Sequence, residues 1–336
     1  MPINKYKLFE DQICPLNTLS IVIPTVKYTN YLDEAINSCF NIKDIDLKIF
    51  VNINSEKNFF LKSKFWDDKR VTWNRTSKYF PLMLDSINSA VKNSEGEWLF
   101  ILSDDDIIKK DFLQNVDRNS FTQKTLYATR IDIIDSSNNV LRTNNKYKKY
   151  KYLPKEMLDI YFNNKLQNHL SLFVFHRALF EKVNGFVQTG YPNGYFIDTV
   201  FHGKIIANSN LIYASRKVVF SRRETESQES AKFYYDNNIN KYFDLITNNL
   251  FEDVEFKSQA LERFSTRNDY KSKLLEYRYF TELSKLTNII FNKSFLKLFN
   301  FQITFLRCWN VTYIFKMKSL FYFSKFLISF LKRRKL

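Results

Sequence analysis

With 336 residues, 45% hydrophobic and 26% charged, the chain is long enough to bury a large core and too apolar to be disordered. Only five Gly and six Pro exclude a turn-rich all-β protein, and the three scattered cysteines, Cys14, Cys39 and Cys308, exclude a disulfide framework or a zinc-finger spacing. The net charge is +16, yet residues 285–336 hold eleven Lys or Arg and no acid, so the excess sits in a tail and not on a nucleic-acid-binding domain.

The first seventeen residues carry Lys5, Lys7, Glu10 and Asp11 without a continuous apolar run, so no signal peptide is expected and a reducing cytoplasm is. Leu19-Ser-Ile-Val-Ile23 is a short apolar run ended by Pro24, the form of a buried parallel strand. Asn30 is expected to cap a helix that carries Leu32, Ala35, Ile36 and Cys39 on one face. Strands follow at Leu47–Val51 and Val71–Trp73, then a helix over 80–93 and a strand over Glu97–Leu102. Alternation at this spacing predicts an α/β domain with a mostly parallel sheet. Ligands of such sheets bind beyond the carboxyl ends of the strands. That edge gathers Thr25, residues 52–55 and Asp104–Asp106.

Further on, a helix is expected over Ile108–Val116, and the polar stretch Asp135–Lys151 reads as an exposed loop or hairpin. A helix near 155–163, a strand at Ser171–Phe175 and a helix Arg177–Lys182, stopped by Asn184-Gly185, come next. Phe196–Ala207 reads as helix, Leu211–Tyr213 and Lys217–Phe220 as short strands, and everything after Ser230 as helical.

Three consecutive aspartates leaving an apolar strand point in different directions, so one carboxylate can meet a cation while its neighbour reaches elsewhere. Mg²⁺ and Mn²⁺ favour such oxygens and keep part of their shell for phosphate. The plainer alternative is that the three acids cap the helix expected after them.

Leu19 to Thr25, Phe50 to Ser55 and Asn88 to Asp106 together resemble the landmarks of the family 2 inverting glycosyltransferases, over roughly residues 19–225. The resemblance implies the GT-A fold, a bacterial surface-polysaccharide role such as O-antigen or capsule synthesis, and a nucleotide-diphosphosugar donor. It makes Asp104 the residue nearest the donor ribose, Asp105 the best ligand for Mn²⁺ or Mg²⁺, and Asp106 an alternate. Pro24, Thr25 and Asn88 join the donor-binding set. Many members carry an Asp after the second strand to pair with the base; here Asn52 and Asn54 stand there, and uracil or thymine is preferred (UDP or dTDP) because an amide offers both donor and acceptor. The usual Glu-Asp pair is reduced to Asp198, the expected general base. Arg222 and Arg223 resemble a late basic position facing diphosphate. His202, four residues after Asp198, can share its helix face.

These readings divide the chain into a lead-in (1–18), a catalytic domain (19–230) and a helical C-terminal region (231–336). In the tail, Phe323, Phe326 and Phe330 recur at helical spacing before Lys-Arg-Arg-Lys, which suits a basic helix lying on the inner face of an anionic cytoplasmic membrane. The alternative is a stripe packed on the domain with its charges solvated. A lipid-linked glycan acceptor follows from the resemblance alone. Two rivals are a catalytically degenerate scaffold and a nucleotidyltransferase; the latter lacks its Gly-rich loop, since Pro24 to Tyr28 holds no Gly.

Overall fold

A computed structural model describes residues 12–55, 62–76, 79–80, 82–114, 116–162, 166, 168–190, 194, 196–223, 239–274, 320 and 324. The chain runs β1 (Thr18–Thr25), α1 (Asn30–Cys39), β2 (Asp46–Ile53), β3 (Val71–Arg75), α2 (Met83–Asn93) and β4 (Trp98–Ile101). It continues through β5 (Ile107–Ile108), β6 (Thr125–Ala128), β7 (Ile131–Ile134), β8 (Val140–Asn144), β9 (Lys151–Tyr152) and α3 (Pro154–Phe162). Then come β10 (Phe173–His176), α4 (Arg177–Lys182), α5 (Ile197–Asn208), β11 (Leu211–Ala214), β12 (Phe220–Arg223), α6 (Ile239–Phe251) and α7 (Val254–Leu261). Contacts divide these into two compact units, one made of Met1–Gln188 with Asn193–Ala231, the other of Thr189–Pro192 with Lys232–Leu336.

In the first unit an eight-stranded sheet has the order β3-β2-β1-β4-β10-β6-β11-β9. The first four strands are parallel, β10 runs against both its neighbours, and β6 and β11 are again parallel. This is the expected α/β class. Residues Leu19 to Ile23 are all fully buried, so β1 is covered on both faces; its one polar member, Ser20, donates its hydroxyl to the Glu95 carbonyl. Each apolar side chain of the run contributes about 1.5–3 kcal/mol on leaving water. Leu32, Ala35, Ile36 and Cys39 of α1 share a core with Ile21, Ile23, Ile49 and Val51. The buried Leu84, Ile87, Ala90 and Val91 of α2 lie outside that cluster, and α2 packs on β1 and β2. A second sheet, β5-β12-β7-β8, stands beside the first.

Four expectations are corrected. No helix follows the aspartates: Ile107 and Ile108 form β5, paired with Phe220 and Ser221, because Ile108 is fully buried and its N–H donates to Ser38 Oγ (3.0 Å). The strand expected at Lys217–Phe220 is shifted to Phe220–Arg223, where it runs parallel to β7. β6 and β7 were not anticipated, being four-residue strands without a clear period. The cap of α1 is Thr29, without a side-chain bond, and Asn30 is the first helical residue. As expected, Asp135–Lys151 begins as a hairpin turn into β8, and Asn184 and Gly185 take the left-handed φ of 61° and 63° that stops α4.

In the second unit Asp253 caps α7 by accepting from Phe256 N (2.9 Å), and the rings of Phe251, Phe256 and Phe264 surround Tyr270. Lys271 Nζ meets Asp244 Oδ1 at 2.5 Å, and residues 267–274 are helical. The aromatic tail, apart from 320 and 324, and the Glu224–Glu229 segment lie outside the described residues. Among the described residues no helix is long and apolar enough to cross a membrane.

Candidate active site

The parallel strands deliver the acids to one edge. β1 ends at Thr25, β2 at Ile53 and β4 at Ile101, and the chain beyond β4 becomes the loop Ser103–Asp106. Thr25 Oγ1 donates to Asp104 Oδ2 at 2.5 Å, which joins two strand ends directly. Burial pushes the Asp104 carboxyl up to about 6, with the Thr25 bond opposing and Asp105 adding repulsion. Asp106 is 2% exposed and held well above the usual carboxylate range, by burial first and then by Asp105. Since no helix follows, the capping reading of these acids has nothing to cap.

Arg223 holds this loop in place. It is wholly buried; its N–H donates to Asp106 Oδ1 (2.9 Å) and its Nε to the Asp105 carbonyl (3.0 Å). Nη1 reaches the carbonyls of Asp135 and Ser136 (3.3 Å each), Nη2 pairs with Glu34 Oε2 (2.7 Å), and the group lies 4.1 Å from the Tyr31 ring centre. Expected at the diphosphate, Arg223 is instead a strut between α1, the acid loop and the β7–β8 turn. The charge of its neighbour Arg222 works against the burial that raises both Asp106 and Asp198, and it disfavours protonation of His169. Asp106, Arg222, Asp198 and His169 therefore share one electrostatic neighbourhood, assembled from β4, β12, α5 and the segment before β10.

Asp198 stands in the first turn of α5, after Phe196 in a left-handed φ of 67°. Its Oδ1 accepts from Thr199 N (2.7 Å), and burial raises its pKa against that bond and Arg222. His202, on the same helix, is buried edge-on to Phe173 and pushed down to about 3, hence neutral. His169 lies flat on Phe220 at 5.4 Å, and neither of its ring nitrogens has a partner.

The three asparagines expected at the donor differ. Asn54 takes Phe80 N on Oδ1 (2.7 Å) and donates to the Phe80 carbonyl (2.8 Å); Asn88 brackets the backbone of Phe186 in the same way (3.0 and 2.8 Å). Both amides are spent on backbone, because a side-chain amide presents the same donor–acceptor pair as a peptide. Asn52 is not spent. It lies beside Pro24 in the register, is 1% exposed, and neither amide atom has a partner. Such an orphan costs about 1–3 kcal/mol until a ligand or water meets it.

Three carboxylates share this loop, and the burial and repulsion that raise Asp104 and Asp106 are what a cation would relieve, but their oxygens do not gather into a tight set of ligand atoms. Among the described residues, the group whose ligand atoms do gather tightly is Cys14, Glu97 and His176, at the start of β4. There His176 Nδ1 accepts from Ala178 N (3.1 Å), so the neutral ring keeps its proton on Nε2, facing Cys14 Sγ at 3.4 Å. That nitrogen is a donor and no ligand.

No family model matches the sequence, and no curated protein matches it significantly. Solved structures do. The chain is similar in fold to S. aureus TarS. Against TarS 1–349 in complex with UDP-GlcNAc the TM-score is 0.61 at 15% identity, over 88% of this chain and 82% of that one. Against the complex of TarS 1–349 with UDP it is 0.56 at 14%, over 86% and 80%. The longer TarS structure gives 0.56 at 14%, over 89% of this chain and 50% of that one. At these identities the likeness establishes the shared fold.

Proposed function

We propose that the chain is an inverting, divalent-cation-dependent glycosyltransferase. It moves a sugar from a nucleotide-diphosphosugar, UDP- or dTDP-linked, to a hydroxyl of a lipid-linked glycan in surface-polysaccharide synthesis. The observation that carries this reading is that Asp104–Asp106 leave the carboxyl edge of the sheet, where the Arg222 charge acts on both Asp106 and Asp198, in a fold shared with a protein solved in complex with UDP-GlcNAc.

Asp105, half-buried, with an oxygen of Asp104 or Asp106, would hold Mn²⁺ or Mg²⁺. When bound, the ion neutralises charge developing on the diphosphate. Asn52 suits the base, since its open amide matches a pyrimidine edge, and Thr25 and Pro24 line the approach. Asp198 removes the acceptor proton as the hydroxyl oxygen bonds to the anomeric carbon; the bond from that carbon to phosphate oxygen breaks, and its electron pair leaves with the nucleoside diphosphate. A raised pKa makes Asp198 the stronger base. Arg222 favours the departing anion. We place the chain on the cytoplasmic side, with the basic tail on the membrane.

The test is hydrolysis of UDP-GlcNAc and of dTDP-glucose with and without Mn²⁺, alongside thermal melts in UDP and dTDP. Cation-dependent turnover with a cation-dependent rise in melting temperature supports the reading. Neither effect with any nucleotide would leave a scaffold of transferase shape.

A further inference from the structure

The β7–β8 hairpin and the segment after it form a surface that the chemistry above does not use. From Ser136 to Lys151 there is no acid, while Arg142, Lys146, Lys148, Lys149 and Lys151 are exposed. Val140 (56% exposed), Leu141 (55%) and Leu153 (58%) stand among them. β8 is the outer strand of its sheet, and no other strand among the described residues pairs with its far side.

This segment is built. Tyr147 and Tyr152 turn inward, 8% and 5% exposed, and Tyr147 OH donates to the Thr129 carbonyl (3.2 Å). The N–H groups of Lys148 and Lys149 both donate to Tyr152 OH at 2.9 Å, which fixes the lysines on the outside. Lys149 also pairs with Glu156, and Lys151 lies over the Tyr213 ring. The turn of the hairpin is bonded by Arg223 to the aspartate loop, since one guanidinium takes the carbonyls of Asp135, Ser136 and Asp105.

We propose that Val140–Leu153 docks on an anionic lipid bilayer and so sets the aspartate loop at a fixed distance from it. Lysines on a rigid loop meet anionic headgroups, and the three aliphatics enter the acyl boundary. A single-stranded nucleic acid would call for exposed aromatic faces, and the tyrosines at 147 and 152 are buried, while a duplex would give the three exposed aliphatics nothing to enter. A second copy adding to the β8 edge would set Arg142 and the lysines against their like. The inference rests on this surface alone and stands apart from the transferase reading.

The test places an environment-sensitive dye on V140C in the full chain, with Cys14 and Cys308 replaced by Ser and the fully buried Cys39 kept. L141C serves as a second reporter should V140C misfold. On vesicles of phosphatidylcholine with phosphatidylglycerol the dye should shift to the blue and resist an aqueous quencher, and on phosphatidylcholine alone it should not. K146Q and K148Q should each weaken this binding about fivefold. A dye that stays quenchable on protein that sediments with the vesicles overturns the proposal, because the tail alone then makes contact. An equal shift with a soluble polyanion, or one that grows with protein concentration without vesicles, also overturns it. Nucleotide-sugar hydrolysis on the same samples reports the transferase reading separately.

Discussion

The two ends of β4 each carry a cluster of titratable groups, and they differ in whether the protein satisfies them. At the start, Cys14 Sγ donates to Glu97 Oε2 (3.5 Å), His176 faces Cys14, and the His176 ring also takes Ala178 N. Burial and the Glu97 charge push the Cys14 thiol up to about 11, so it keeps its proton. At the far end, Asp104 and Asp106 are raised by burial and by Asp105, and the nearby amide of Asn52 and the ring of His169 have no partners. A tight cluster is therefore no sign of function in itself. The informative end is the one where folding leaves charge and hydrogen-bonding capacity unmet.

The sharpest way to break this contrast is Asp105→Ala. It should lower cation-dependent sugar-nucleotide hydrolysis about 1,000-fold, as loss of a charge-stabilising group does, while the melting temperature without ligand stays put. Full activity would remove the cation from the proposal. Asp198→Asn should cost about 100- to 10,000-fold in turnover, yet leave the Mn²⁺-dependent thermal shift with UDP intact. Loss of that shift as well would make Asp198 part of the donor site and not the base.

Arg223→Met comes next and reads on stability. It strips donors from three carbonyls and from Glu34, and should destabilise by about 3 kcal/mol, or roughly 10 °C in melting temperature. Arg223→Lys keeps the charge but not the fork, and should recover less than half. A variant that melts normally but has lost UDP affinity would return Arg223 to the diphosphate, where the sequence first suggested it.

That residue marks the limit of what the chain reveals unfolded. β1, β2 and β4 were legible because buried parallel strands need apolar runs, and the acids after β4 because chemistry and strand end are adjacent in sequence. Ile107, Ile108, Phe112 and Leu113 also fit a helical face, and only pairing with Phe220 and Ser221 makes β5 a strand. Arg223 bonds Asp106 across 117 positions, a relation with no local signal. Asn52, Asn54 and Asn88 are chemically alike, and which of them is left open depends on where the Phe80 and Phe186 backbones fall. His169 carried no motif, and its lack of partners appears only on folding.

A gentler probe is pH. Asp104 titrates at about 6 when folded against an ordinary 3.8, so its ionisation costs the fold. Without a cation this group makes stability fall as pH rises from about 4 through 6, since the folded state there holds the extra proton. A cation needs the ionised form, so Mn²⁺ affinity should rise roughly tenfold per pH unit up to about 6 and then level. Melts at about pH 5 and about pH 7.5, with and without Mn²⁺, check both signs. A Mn²⁺ shift that is flat across that window would detach Asp104 from the cation.

The smallest effect is expected at the satisfied end. Glu97→Gln removes the Glu97 charge, which with the Glu97 hydrogen bond adds to burial in raising the Cys14 thiol, and leaves the largest cause, burial, in place. Alkylation of Cys14 at mildly alkaline pH should therefore quicken, but the thiol should still titrate above a free cysteine. Stability should move by no more than about 0.5 kcal/mol, because Glu97 is exposed and its bond to sulfur is long. Mn²⁺ and UDP responses should not move at all, since Glu97 precedes β4 and the aspartates follow it. A Glu97→Gln protein with weakened Mn²⁺ binding would mean that the cation sits at the wrong end of the strand, on Cys14 and His176 after all.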